Sequence, residues 1–274
     1  MDDQTRPHRH KIAGLPDARG LYDPANERDA CGVGFVAHLD AKPKHEVVRD
    51  GVEVLINLEH RGAVGGDKKT GDGAGLLFRM PHDFLKKESK KLDLSLPREG
   101  DYGVGMIFLP QDADLRARCI ETMEAAVRRQ GCKVGPWRDV PADPSVLGEL
   151  SLSSMPVIKQ FFVLRGEAKR ADFERALYVI RRRVENAIWS WTEPGAEQFY
   201  VVSLSSRTMV YKGMLTGSQL ETYFPDLADT TFKSPFALVH QRYSTNTFPT
   251  WSLAQPFRML AHNGEINTLR GNIN

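Results

Sequence analysis

Eight short runs of β-forming residues, at 32–39, 74–78, 104–109, 157–164, 199–204, 208–212, 236–242 and 257–262, constrain what this chain can fold into. Many are closed off by Gly, Pro, Asp or Ser, the residues that turn a chain between strands. The runs at 199–204 and 208–212 are joined only through Ser205, Ser206 and Arg207. That is too short for the crossover that parallel pairing demands, so the pair reads as an antiparallel hairpin. Three stretches carry helical spacing instead. Phe173, Leu177, Ile180, Val184, Ile188 and Trp191 recur at steps of three and four and make one apolar stripe. Leu115, Cys119, Met123 and Val127 do the same within 114–130, ahead of a stop at Gly131, and a shorter helix is expected over 52–60. Strands joined by short turns, with few helices, imply antiparallel sheets covered by helices rather than an alternating parallel sheet.

The 274 residues suffice for one large domain or two small ones with adequate cores. Basic and acidic residues, 37 against 35, are mixed along the chain and leave no stripe suited to neutralising phosphates. No nucleic-acid partner is expected. No run approaches the ~18 apolar residues of a membrane span, so no membrane partner is expected either. Cys31, Cys119 and Cys132 form no CxxC pair and are too few for a disulfide framework, which fits a reducing cytoplasm. Residues 1–30 are polar, rich in Pro, Asp and His, and lack an apolar signal core. They read as a leader ahead of a folded domain over residues 31–274.

The segment Gly71-Asp72-Gly73-Ala74-Gly75 invites a phosphate-binding reading, but a strand-like Leu76-Leu77-Phe78 follows where a dinucleotide fingerprint needs a helix. A tight turn near a site is the expectation, with no cofactor held by this segment. The histidines include no HExxH pattern, and His240 and His262, each closing an apolar run, read as packed or hydrogen-bonded; no metal is expected. Cys119, on the apolar face of its helix, and Cys132 read as structural. Cys31 stands between Ala30 and Gly-Val-Gly, at the junction of leader and first strand. With the leader removed, its own α-amine, of reference pKa about 7.7–8.0, becomes a general base for its thiol. The other reading is a buried strand cysteine. Arg242, followed by Tyr243, Ser244, Thr245 and Thr247, offers a guanidinium among hydroxyls, suited to gripping a carboxylate. Asn263 and Gly264 supply a side-chain amide and an unhindered backbone N–H, the two donors of an oxyanion hole. Taken singly, each of the last two motifs also fits a turn with surface polar groups.

Together the motifs resemble the class II glutamine amidotransferases, N-terminal nucleophile hydrolases whose first residue is cysteine. Cys31-Gly32-Val33-Gly34 is similar to that family's opening Cys-Gly, His240-x-Arg242-Tyr243-x-Thr245 to its His-x-Arg-aromatic-x-Thr, and His262-Asn263-Gly264 to its His-Asn-Gly. Segments 59–63, 70–75, 242–251 and 263–268 resemble the glutamate synthase branch, whose large subunit carries this domain behind a cleaved propeptide. The resemblance implies an α+β fold, a four-layer αββα sandwich of two antiparallel sheets, incomplete at its C-terminus. It implies Cys31 as nucleophile, Asn263 and Gly264 as oxyanion donors, and Arg242, Tyr243 and Thr245 as the substrate clamp for L-glutamine. An acidic residue that grips the substrate amine lies further downstream in the family than Asn274. For a full-length synthase the resemblance further implies FMN and an iron–sulfur cluster in the large subunit, with FAD and NADPH through a small subunit. The remaining synthase domains would be partners, and the ammonia would serve glutamate formation from 2-oxoglutarate. The alternative is a catalytically silent fragment or precursor that keeps the fold, because its leader stays attached or the missing strands leave the site unfinished.

Overall fold

In chain order the elements are β1 (Val33–Ala37), α1 (His45–Asn57), β2 (Ala74–Arg79), α2 (His82–Lys90), β3 (Tyr102–Leu109), α3 (Ala113–Arg129), β4 (Lys133–Asp139), α4 (Glu149–Ser153), β5 (Val157–Leu164), α5 (Phe173–Ile188), β6 (Tyr200–Ser205), β7 (Thr208–Gly213), α6 (Leu220–Tyr223) and β8 (Phe236–Gln241). The computed structural model describes residues 19–20, 32–242 and 247–262. The chain divides into the units Met1–Ala30 and Cys31–Asn274, and every element named belongs to the second. All strand pairs are antiparallel, in two four-stranded sheets ordered β1-β8-β2-β7 and β4-β5-β3-β6.

Strand pleating sorts the side chains into two cores. Along β3, Tyr102, Val104, Met106 and Phe108 join a core with Leu77, Val210 and Val239 of the first sheet and Leu55 of α1. The alternate residues Ile107 and Leu109 join Cys119, Met123 and Val127 of α3 and Leu177, Ile180 and Val184 of α5. Helix, sheet, sheet and helix therefore form four layers, the α+β sandwich expected of the motifs. α1 lies close against the first sheet at Gly51, where a Cβ would stand 2.8 Å from Ala237 Cβ and 3.2 Å from Leu76 Cδ2. Any side chain there would lift the helix off the strands.

Three sequence expectations are corrected, and one strand lies where none was expected. The runs at 199–204 and 208–212 are not a hairpin: β6 pairs with β3 and β7 pairs with β2, so the chain changes sheets at Ser205–Arg207. The Glu174 carboxylate fixes that crossing by accepting from the Ser206 N–H and from the Ser205 and Ser206 hydroxyls. Both strands are buried along nearly their whole length, which suits a sandwich interior rather than an exposed ribbon. The run at 257–262 is no strand; Phe257 instead donates its N–H to the Leu260 carbonyl at 2.8 Å. β4 was not expected, since Gly135 and Pro136 interrupt it; it is an edge strand whose register shifts between Val134 and Trp137, which accommodates the proline. α1 begins at His45 rather than near 52, and residues Glu59–Arg61 form a separate 3-10 turn.

A charged cluster centred on Arg138 lies inside the fold. Arg138 of β4 donates to both oxygens of Asp226 at 2.7 Å, to Glu88 of α2 at 3.1 Å and to Gln160 of β5 at 3.1 Å, while the Tyr211 hydroxyl donates to Asp226 at 2.8 Å. Every polar group has a partner, which is what makes a buried guanidinium tolerable.

Candidate active site

Strand ends bring the flanks of the sequence motifs to one edge of the first sheet. Val33 of β1 pairs with His240 of β8, and the Gln241 N–H donates to the Gly32 carbonyl at 2.7 Å. On the other side of β8, Ala74 of β2 pairs with Gln241. The chain leaving β8 at Arg242 is therefore flanked by Gly32 and by the turn that precedes Ala74.

Arg242 is held by that turn. Its N–H donates to the Gly73 carbonyl at 2.8 Å, its Nη1 to the Asp72 carbonyl at 3.3 Å and its Nη2 to the Thr247 hydroxyl at 2.9 Å. Burial pushes the Arg242 pKa down and the nearby Asp72 opposes it, but a guanidinium keeps its charge in such a setting. Gly73 has φ +140°, and a Cβ there would lie 2.9 Å from Ala254 Cβ and 3.6 Å from Arg242 Cβ. The glycine-rich segment is a turn leading into β2, packed between Arg242 and the 251–255 loop.

That loop is fixed from below by Lys212, a residue that sequence reasoning passed over. It is buried in β7, its ammonium over the rings of Tyr200 and Phe257 at 4.8 and 4.6 Å, and it donates to the carbonyls of Ser252 and Ala254. Burial pushes its pKa well down, while carbonyls and ring faces favour the charged form. The signal was present: a lysine inside the apolar run Met209-Val210-Tyr211 must find acceptors. Trp251 anchors the same loop, its indole donating to the Ser151 carbonyl at 3.1 Å.

The loop delivers His262 beside His240. The His262 carbonyl accepts from His240 Nε2 at 2.7 Å and from Gln255 Nε2 at 2.9 Å, and its N–H donates to Gln255 Oε1 at 3.0 Å. His240 is 1% exposed and its Nδ1 has no partner among the described residues, while Nε2 faces a carbonyl that can only accept, so the imidazole is neutral with its proton on Nε2. Burial brings its pKa down from 6.5 to about 4, the His262 carbonyl opposing. Between these values the unfolded chain binds a proton that the folded one refuses, so stability falls as pH drops from 6.5 towards 4. The loss should reach ~3 kcal/mol from this group. Urea unfolding of the parent and of a His240→Gln variant, near neutrality and near pH 4, checks this: the parent should lose more stability than the variant, and equal losses would count against it.

Of the residues that the sequence reading assigned to the site, Arg242 alone is among the described residues, immediately after the C-terminal end of β8. Cys31, Tyr243, Thr245, Asn263 and Gly264 lie outside the described residues, while their neighbours Gly32, Arg242 and His262 converge. Cys119 and Cys132 are buried in the core of the second sheet and its helices. Burial pushes the Cys119 thiol up to about 11 and raises that of Cys132, as inert structural cysteines require. Among the described residues no three His, Cys, Asp or Glu side chains gather as a metal site. None of the described helices is long and apolar enough to cross a membrane.

Residues 31–274 match the family model for class II glutamine amidotransferases, and with this fold and this strand-edge arrangement the chain belongs to that family of enzymes. Within it the chain is similar to glutamate synthases. It is 48% identical to the glutamate synthase (NADPH) large chain of Bacillus subtilis over 95% of this chain and 17% of that protein, and 47% identical to that of Azospirillum brasilense over 97% and 17%. It is 44% identical to the glutamate synthase (NADH) of Saccharomyces cerevisiae over 100% of this chain and 13% of that protein. The chain thus spans less than a fifth of the length of these relatives.

Proposed function

We propose that this domain hydrolyses L-glutamine to glutamate and ammonia, with Cys31 as an N-terminal nucleophile freed by cleavage after Ala30, and that the ammonia serves glutamate synthesis from 2-oxoglutarate in a full-length cytoplasmic synthase. The observation that carries the reading is the convergence of Gly32, Arg242 and His262 at one sheet edge, through the Gln241–Gly32 and His240–His262 hydrogen bonds. These three residues adjoin the nucleophile, the clamp hydroxyls and the oxyanion donors.

In this mechanism the free α-amine of Cys31 takes the thiol proton, and the thiolate attacks the side-chain amide carbon of glutamine. Negative charge develops on the former carbonyl oxygen, where the Asn263 amide and the Gly264 N–H donate to it. The α-ammonium returns a proton to the leaving ammonia, and water then cleaves the γ-glutamyl thioester. Arg242, with Tyr243 and Thr245, holds the substrate α-carboxylate.

In a whole synthase, FMN, an iron–sulfur cluster, FAD and NADPH would carry the reductive half of the chemistry. The iron–sulfur cluster does not fit this segment: it needs about four thiolates, and of the three cysteines here Cys119 and Cys132 are singly buried. Those groups belong in this reading to the remaining domains and a small subunit.

The test is steady-state glutaminase kinetics on the full-length protein and its Arg242→Lys variant. A bidentate guanidinium–carboxylate pair in a closed pocket is worth roughly 1.5–3 kcal/mol, and lysine keeps the charge without the planar fork. KM for glutamine should rise on the order of ten-fold or more. An analogue lacking the α-carboxylate should bind poorly and discriminate little between the two proteins. Equal KM values for glutamine would remove Arg242 from the site, and a parent protein releasing no ammonia would sink the whole reading.

A further inference from the structure

The Gln255 side chain does to His262 what a neighbouring strand would do. Its Oε1 accepts the His262 N–H at 3.0 Å and its Nε2 donates to the His262 carbonyl at 2.9 Å, so one primary amide satisfies both backbone groups of one residue. Such reciprocal pairing replaces the ladder that the expected strand at 257–262 would have supplied. His240 Nε2 adds a second donor to the same carbonyl at 2.7 Å. Gln255 is itself buried and anchored on both sides: the Ala254 carbonyl before it accepts from Lys212, and its own carbonyl approaches the glycine of β2, where a Cβ on Gly75 would lie 2.6 Å from it.

Two donors on one carbonyl restrain the rotation of its whole peptide plane about the flanking Cα atoms. The His262 carbonyl shares that planar unit with the amide nitrogen of the next residue, Asn263. We propose that Gln255, assisted by His240, is a positioning residue that presets the peptide entering Asn263-Gly264 and so aims the oxyanion donors. The inference rests on the assignment of Asn263 and Gly264 under Proposed function. Gln255 touches no reacting atom; it removes a backbone freedom that would otherwise be frozen out as charge develops. Its effect therefore belongs to the transition state rather than to substrate binding.

The experiment compares the parent, Gln255→Met, Asn263→Ala and the double variant in the full-length protein. The readouts are kcat and KM for glutamine, inhibition by L-glutamate, and inhibition by the γ-aldehyde analogue of glutamine. The Cys31 thiolate adds to that aldehyde carbon, the C=O π pair moves to oxygen, and the resulting oxyanion sits where the donors point, taking its proton from the α-ammonium. Gln255→Met removes both hydrogen bonds at nearly constant volume. It should lower kcat about 10- to 100-fold, the usual cost of a misplacement near 1 Å. The aldehyde should weaken by the same factor, while KM and glutamate inhibition stay within about two-fold. In the Asn263→Ala background the same change should cost almost nothing, because the donor being aimed is gone. If Gln255→Met proves too poorly folded, Gln255→Glu keeps the acceptor, loses the donor and should show the same split.

An unchanged kcat, equal weakening of aldehyde and glutamate, or additive losses in the double variant would each overturn the positioning role, with the Asn263 assignment intact so long as Asn263→Ala itself lowers kcat. Full kcat in Asn263→Ala would instead bring down the oxyanion assignment and the positioning role with it.

Discussion

Ammonia release from glutamine should vanish in a Cys31→Ala protein that folds and is processed as the parent is. The expected loss is complete because no other cysteine can stand in. Cys119 and Cys132 sit in the helix-covered core, their thiols held neutral by burial. A thiol becomes a useful nucleophile only as thiolate, and here the base proposed is the α-amine of the same residue. The prediction therefore has a covalent companion: intact mass and N-terminal sequencing of the active protein should place Cys31 at residue one. A protein still beginning at Met1 would have that nitrogen tied up in an amide and unable to act as base, and should be inactive despite an unaltered fold. Residual turnover in Cys31→Ala would put the nucleophile elsewhere.

The next largest effect is expected at Asn263. Alanine there removes one of two oxyanion donors and should lower kcat on the order of 100- to 1,000-fold, because the hydrogen bond strengthens as charge builds on the substrate oxygen. KM should move far less, since the ground-state amide carbonyl makes little demand on the donor. Should KM rise by the same factor as kcat falls, Asn263 binds ground-state glutamine and has no special role at the transition state.

Much of the scaffold was legible because apolar periodicity reports burial directly. The stripe from Phe173 to Ile188 packs on the second sheet, and β5 occupies the run at 157–164 that its residues announced. Misreadings arose where local pattern and tertiary partner disagree. The three residues 205–207 look like a hairpin loop, and only the packing of one sheet on another sends β6 and β7 to different partners. Gly135 and Pro136 hid an edge strand, and α2, with Phe84 and Leu85 its only large apolar residues, has too little stripe to be seen. At the site, motif residues such as Arg242 could be named from their neighbours in sequence. Lys212 and Gln255 could not, since what they do depends on loop carbonyls and a backbone N–H brought to them by folding.

β8 acts as a ruler that two other strands read. Its pairing with β1 sets Gly32 beside Gln241, and its pairing with β2 sets the Gly73 turn beside Arg242. One residue inserted between Phe236 and Gln241 would turn His240 to the opposite face and slide Arg242 past both neighbours at once. At the far end, β1 leaves into the exposed residues 39–43, where added length costs only a small closure entropy. The approach to β8, by contrast, is pinned by buried Phe232 and the Lys44–Ser234 bridge. Over evolutionary time, length variation should therefore accumulate at 39–43, while the spacing across β8 stays fixed to the residue.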